Sequence, residues 1–368
     1  MQITHVEVVP LELKLRQPYQ TAYRDAVDRA AAVFIRIDTR QGDVAWGCAA
    51  FDPALTGETL EEVTRVCQTC ADHAVDLNPL NTEYALAKLA GLAEDSPSAR
   101  CAFDIAFYDL LGLAAGMPLH RLLGGYRYRI QTSITLGIAS VQETVERARQ
   151  RARQGFRILK LKGGLDPEED VRRVRAVRAA LPRLILRLDA DGGYSVQQAL
   201  DVARALEDSL EMLEQPTPAP EPPGDPSPGQ AAPARGLEDL CQVTQYSPVP
   251  ILADQSLMGP PSALEIAGRR AAHGMSIKLA TCGGLRCARQ VDAIARAAHM
   301  DTMVGCINEP ALAIAAGLGL ALSSPSVRYA DLDGHFDLEN DPTVPGFRFE
   351  EGWLIATDVP GLGCSVEL

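Results

Sequence analysis

The 368-residue chain has no excess of positive charge: 35 lysines and arginines stand against 48 aspartates and glutamates, a formal net charge of −13. A surface of that sign repels nucleic acid and anionic membranes, so neither is expected as a partner. A long unbroken apolar run is also missing. The longest, Ala311 to Leu322, is too short to span a bilayer and contains Gly317 and Gly319. The opening stretch MQITHVEVVPLELKLRQP alternates apolar and polar residues, with neither the basic start nor the apolar core of a signal peptide. A soluble cytoplasmic protein is the expectation. The nine cysteines are odd in number and scattered, which fits reduced thiols better than a disulfide framework. Cys67, Cys70 and His73 share helical spacing, but no second ligand pair follows at zinc-site spacing, so they read as idle thiols. Nor does a glycine-rich phosphate loop follow any strand, which leaves a nucleotide-binding open sheet as the runner-up fold.

What the chain does contain is two textures. Residues 1–125 read as a small α+β unit, with strands in ITHVEVVPLELKL and AAVFIRIDTR, a polar loop RQPYQTAYRDAVDR between them, and a third strand through Trp46. Helical periodicity then covers Thr59 to Ala74, Thr82 to Leu92 and Pro97 to Ala115. From 126 to 339 short apolar strands alternate with amphipathic helices. The strands are read at Gln131–Gly137, Arg157–Lys162, Leu184–Asp189, Leu210–Glu214, Val249–Asp254, Gly274–Leu279, Asp301–Val304 and Val327–Asp331. Eight such strands separated by helices predict a parallel barrel of the α/β class. Segment 217–236, TPAPEPPGDPSPGQAAPARG, is crowded with proline and cannot form a core element; it reads as an insertion within the barrel.

Charged residues close five consecutive strands: Lys162, Asp189, Glu214, Asp254 and Lys278, at intervals of 27, 25, 40 and 24 residues. The long interval holds the proline-rich insertion, so each charge is expected at one level, the C-terminal rim where catalytic groups of a barrel converge. Three carboxylates there repel one another unless a cation neutralises them. The set Asp189, Glu214 and Asp254 is all oxygen, which implies Mg²⁺ or Mn²⁺. Lys160 and Lys162 share a strand face; alone they would suit a wet edge strand, but beside a metal site they become bases. Lys162 and Lys278, from strands on either side of the acids, could remove a proton from one face of a carbon and return it to the other. An ordinary lysine titrates near about 10.4; a nearby dication and a second lysine should lower that toward the working range.

These motifs, LKLKGG, LRLDAD, LEQP, LADQS, IKLATCGG and MVGCINEP in this order, resemble the enolase superfamily, muconate-lactonizing subgroup, over almost the whole chain. The resemblance implies an α+β capping domain, a modified (β/α)₇β TIM-type barrel, and a C-terminal tail, 340–368, returning to the cap. At the last strand, YADLDGHFDL is similar to the Asp-x-Asp of dipeptide epimerases, which implies that Asp331 and Asp333 hold a substrate ammonium. PYQTAYRDA resembles the mobile cap loop of Ala-Glu epimerases, implying that Arg24 meets an acidic side chain. Thr135, Cys306 and Asn308 match family positions that line the dipeptide. The implied activity is a Mg²⁺-dependent epimerase inverting the Cα of a dipeptide's C-terminal residue, L-Ala-D/L-Glu or another Xaa-Xaa pair. Lys162 and Lys278 act as bases and Lys160 as support. A homo-oligomer acting on a small molecule is expected. Departures occur at Asp191, where many relatives carry asparagine, at Gln255, where glutamate is usual, at Asn308, and in the insertion. Alternatives are an N-acylamino acid racemase, a cycloisomerase or an o-succinylbenzoate synthase with the same site. Beyond these stand a metal-free Schiff-base aldolase and a binding-only paralogue.

Overall fold

The computed structural model describes residues 1–24, 26–220 and 235–368. Most of the proline-rich segment read at 217–236 lies outside the described residues; the chain resumes in helix Arg235–Tyr246.

The N-terminal part is an antiparallel sheet of β1 (Ile3–Tyr19), β2 (Val27–Thr39) and β3 (Val44–Phe51), in that order. Pro10 has no N–H to give the ladder and sits in β1, an edge strand, where that loss is tolerated. Val33, Phe34, Ile35 and Ile37 of β2 are fully buried. Helix Leu60–Ala74 starts from a capping box formed by Thr59 and Glu62. It packs on β1, and helix Pro97–Ala115 packs on β3. Cys67 and Cys70 lie in this core and all nine cysteines are free.

The second part is a parallel eight-stranded sheet with adjacent strands in chain order: β5 (Ser133–Leu136), β6 (Ile158–Lys162), β7 (Ile185–Asp189), β8 (Met212–Glu214), β9 (Ile251–Ala253), β10 (Gly274–Ile277), β11 (Asp301–Val304) and β12 (Val327–Ala330). Its two edges meet at a bridge between Thr132 and Ala330, so the sheet curls into a nearly closed barrel. The fold class expected from the alternation of strands and helices is the one observed. One expected strand, Gln131–Gly137, is divided. Gln131 ends β4 (Arg129–Gln131), which pairs with the C-terminal β14 (Trp353–Ala356), and β14 in turn pairs with β13 (Phe347–Glu350).

The rim level is shared only in part. Lys162, Asp189 and Glu214 are direct partners across β6, β7 and β8, but Glu214 pairs with Leu252, and Leu252 with Gly274. Asp254 and Lys278 therefore lie progressively beyond that level, as the stagger of a barrel requires. Below the site the lumen is plugged by Met212, Leu252 and Met303. Arg187 joins them, donating to Ser133 Oγ at 3.1 Å and Ala330 O at 3.0 Å across the seam, while its Nε pairs with Glu211 at 2.7 Å. A buried guanidinium with all these partners ties β7 to both barrel edges.

The two parts are stitched by carboxylates. Asp104, in helix Pro97–Ala115, accepts from Leu285 N (2.6 Å) and Arg286 N (3.1 Å) at the start of barrel helix Leu285–Ala297. Asp109 accepts from Leu362 N at 2.7 Å, anchoring the tail to the same helix. Among the described residues no helix is long and apolar enough to cross a membrane.

Candidate active site

All five residues of β6 are buried. Leu159 and Leu161 point outward into the helix layer, and Lys160 and Lys162, on the opposite face, point into the lumen. The strand is interior, so the lysines are not edge protection. The loop after it turns through Gly164 at φ +103°, where a Cβ would stand 2.1 Å from Ala190 O; only glycine fits that approach.

The amines converge on the acids. Lys160 Nζ lies 2.9 Å from Asp189 Oδ2, 3.1 Å from Glu214 Oε2 and 2.6 Å from Asp331 Oδ2. Lys162 Nζ reaches Asp189 Oδ2 at 2.8 Å and Asp191 Oδ1 at 2.7 Å. Lys278, from the far side of the three acid strands, meets Asp254 Oδ2 at 2.6 Å. Burial acts to lower the pKa of Lys160, but Asp189, Asp331 and Glu214 outweigh it and hold the amine well above the ordinary lysine range. The same contest, won by Asp254, raises Lys278. Without a bound dication, then, the facing carboxylates pull both amines upward: four of them act on Lys160, and the close Asp254 dominates at Lys278. Burial pushes Glu214 up to about 8 and Asp191, beside Asp189, up to about 6. Asp189 is also buried, yet Lys160 and Lys162 hold it well below the usual carboxylate range.

A divalent cation fits this set. Carboxylate oxygens of Asp189, Asp191 and Asp254 lie within 4.8 Å of one another. Glu214 Oε1 and Asp191 Oδ2 are buried with no hydrogen-bond partner among the described residues, an arrangement costly to retain unless a cation satisfies it. Gln215 stiffens the floor, its Oε1 accepting from Asp254 N at 2.9 Å and Ser256 N at 3.1 Å. Asp191 was noted in the sequence only as a departure; here it joins the acid cluster and accepts from Gln255 Nε2 at 2.9 Å, so the two departures touch.

A cavity of about 50 Å³ opens above the lysines. Its wall includes Arg24, Thr135, Lys160, Lys162, Lys278, Cys306, Asn308, Asp331 and Asp333, so every substrate-contacting residue expected from the sequence lies on it. The two acids of the last strand are not equivalent. Asp331 is engaged by Lys160 and by Ser133 Oγ at 2.6 Å, and despite burial the Lys160 charge holds its carboxyl low. Asp333 accepts from Thr135 N at 2.6 Å and Cys306 Sγ at 3.4 Å; burial, with Asp331 next to it, raises it to about 7. Sequence reasoning missed the cap residues Tyr23, Asp52 and Leu55 and the barrel residues Ile307, Gly334 and Asp337, which complete the wall. Asp52 carried one signal, an N-cap pattern before Pro53: its Oδ1 accepts from Ala54 N at 3.1 Å.

Residues 3–124 match the family described as mandelate racemase / muconate lactonizing enzyme, N-terminal domain, and residues 143–367 match enolase C-terminal domain-like. The chain is 35% identical to an L-Lys-D/L-Arg epimerase of Methylococcus capsulatus, over 99% of each chain. It is 30% identical to an L-Ala-D/L-Glu epimerase of Clostridium acetobutylicum, covering 99% of this chain and 98% of the relative. A solved dipeptide epimerase of Enterococcus faecalis, complexed with Mg and L-Leu-L-Tyr, superposes with a TM-score of 0.92 at 32% identity, covering 99% of this chain and all of that one. From the cap sheet through the barrel to the tail, the chain belongs to the mandelate racemase / muconate lactonizing enzyme family of the enolase superfamily.

Proposed function

We propose that this protein is a Mg²⁺-dependent dipeptide epimerase that inverts the Cα of the C-terminal residue by 1,1-proton transfer through an enolate. The observation that carries the reading is the placement of Lys162 and Lys278 on one cavity, reached from strands on either side of the acid-bearing β7, β8 and β9. Asp189 and Asp254, clustered with Asp191, are residues that would hold the metal, together with Glu214, whose Oε1 is buried without a hydrogen-bond partner among the described residues. Bound there, the ion supplies Lewis-acid stabilisation of negative charge on the substrate carboxylate. The remaining work belongs to the chain. One lysine takes the Cα proton from its face and the other, protonated, returns one to the opposite face. Lys160 keeps a fixed positive charge near the carboxylate. Asp333, with Asp331 behind it, receives the substrate's ammonium group, a use that an N-acylated substrate lacks. Thr135, Cys306 and Asn308 line the first residue, and Arg24 faces the second.

Residues 1–125 act in this reading as the cap, 126–339 as the catalytic barrel, and 340–368 as the tail that returns to the cap. Nine free thiols suit a reducing cytoplasm, and the homo-oligomeric state belongs to the same proposal. The test is a dipeptide library incubated in D₂O with Mg²⁺. A gain of one mass unit at Cα together with appearance of the epimer supports the reading; exchange with no dipeptide in the library refutes it.

A further inference from the structure

The direction of the second side chain follows from what surrounds the reacting carbon. On the epimerase reading, of the four substituents on Cα the proton would face a lysine and the carboxylate would face the ion held by the acid cluster. The amide would run toward Asp331 and Asp333, which leaves the side chain to face the cap. The cap residues on that wall are Tyr23, Arg24, Asp52 and Leu55. Arg24 is the cation among them, and it is engaged: its Nη1 lies 2.8 Å from Asp52 Oδ2, with the two side chains 17% and 7% exposed. Asp52 is itself fixed. Its Oδ1 caps helix Pro53–Thr56 through Ala54 N at 3.1 Å, and its Oδ2 also accepts from the Tyr23 hydroxyl at 3.3 Å. With both oxygens in use, the carboxylate cannot turn away without uncapping the helix.

Resting on the epimerase reading, we propose that Asp52 is a specificity-determining residue: by cancelling the charge of Arg24 it leaves the described cap wall of the subsite without net charge and selects dipeptides whose second side chain is uncharged. A glutamate side chain would bring a second carboxylate beside Asp52 in a buried setting, where the like-charge repulsion offsets attraction to Arg24 and the cost of stripping water from the incoming anion is left over. A glutamine side chain of nearly the same shape avoids that cost and still finds donors in Arg24, whose Nε is buried without a hydrogen-bond partner among the described residues.

The experiment compares kcat/KM for L-Ala-L-Gln and L-Ala-L-Glu in the wild type, in Asp52→Asn and in Asp52→Ser. Both replacements retain an N-cap oxygen and remove the charge, and melting curves confirm the fold. The wild type is expected to favour glutamine at least tenfold, and both variants to shift the Glu:Gln ratio at least tenfold toward glutamate. A ratio, unlike an absolute rate, does not move with partial unfolding. A wild type that favours glutamate, or a shift below tenfold in both variants while dipeptides are still epimerised, overturns this inference alone. Absence of epimerisation with every dipeptide overturns it together with the epimerase reading.

Discussion

Replacing Lys278 by methionine keeps an unbranched side chain, one atom shorter, and removes one of the two amines. If Lys162 and Lys278 serve opposite faces, the variant retains Lys162 and can still exchange the Cα proton of the epimer presented to it. It completes an inversion only slowly, because no positioned amine returns a proton from the other side. Loss of a positioned acid–base group lowers a rate by about 10²–10⁴, or about 3–5 kcal/mol of barrier at 1.36 kcal/mol per decade. The replacement also leaves Asp254, 3% exposed, without the amine at 2.6 Å. Breaking a buried pair costs about 3–5 kcal/mol of stability, so melting must be followed alongside in Mg²⁺. The assay incubates each epimer separately in D₂O and follows loss of the Cα proton signal by NMR. Epimerisation should fall by about 10²–10⁴ in both directions, while exchange persists for one epimer only; Lys162→Met should show the complementary pattern. Exchange of both epimers by the Lys278 variant would refute two-sided proton transfer.

Other consequences are as direct. Asp333→Asn removes the charge and keeps one acceptor oxygen, which can still meet Thr135 N, while the contact with Cys306 Sγ loses its acceptor. Turnover of a dipeptide should fall about 10–100-fold, the worth of a hydrogen bond to a charged group, while any N-acetyl amino acid turnover changes little; equal losses on both would contradict the ammonium role. Chelation should abolish exchange, and Mg²⁺ at 100 times its Kd should raise unfolding stability by about 2.7 kcal/mol, read as a melting shift that Glu214→Gln diminishes. Burial holds His335, stacked at 4.0 Å on Phe336, down to about 4. A histidine depressed in the fold binds its proton more readily when unfolded, so its contribution is complete above about pH 6.5 and is lost as pH falls toward 4. Between pH 7 and 5 this amounts to about 2 kcal/mol, which urea unfolding should register in the wild type and lose in His335→Leu; equal slopes in both would contradict it.

The barrel was legible because its signals are local. Apolar strands ending in Lys162, Asp189, Glu214 and Asp254 recur at an interval set by one strand–helix unit, and the strands they close are neighbours in the barrel. Contacts made only by docking one part on another were not legible. Tyr23 and Asp52 reach the cavity because the cap settles on the rim, and nothing in their own neighbourhoods distinguishes them from solvated loop residues beyond the cap pattern before Pro53. The stagger that carries Asp254 and Lys278 past Glu214 is a property of barrel closure rather than of any strand. Arg187, within LRLDAD, takes its role from the seam between β5 and β12, which gives it Ser133 and Ala330 as partners. Spacing counts strands but not the carboxylates each amine meets, which is why the pull on Lys160 and Lys278 runs upward.

A crystal structure of the protein with Mg²⁺ and an unreactive dipeptide analogue would measure where the two amines stand about the reacting carbon. Nζ of Lys162 and Nζ of Lys278 should approach that Cα from opposite faces, with the carboxylate of the second residue turned toward Asp189, Glu214 and Asp254. Both amines on one face, or a Cα beyond the reach of either, would contradict inversion by this pair.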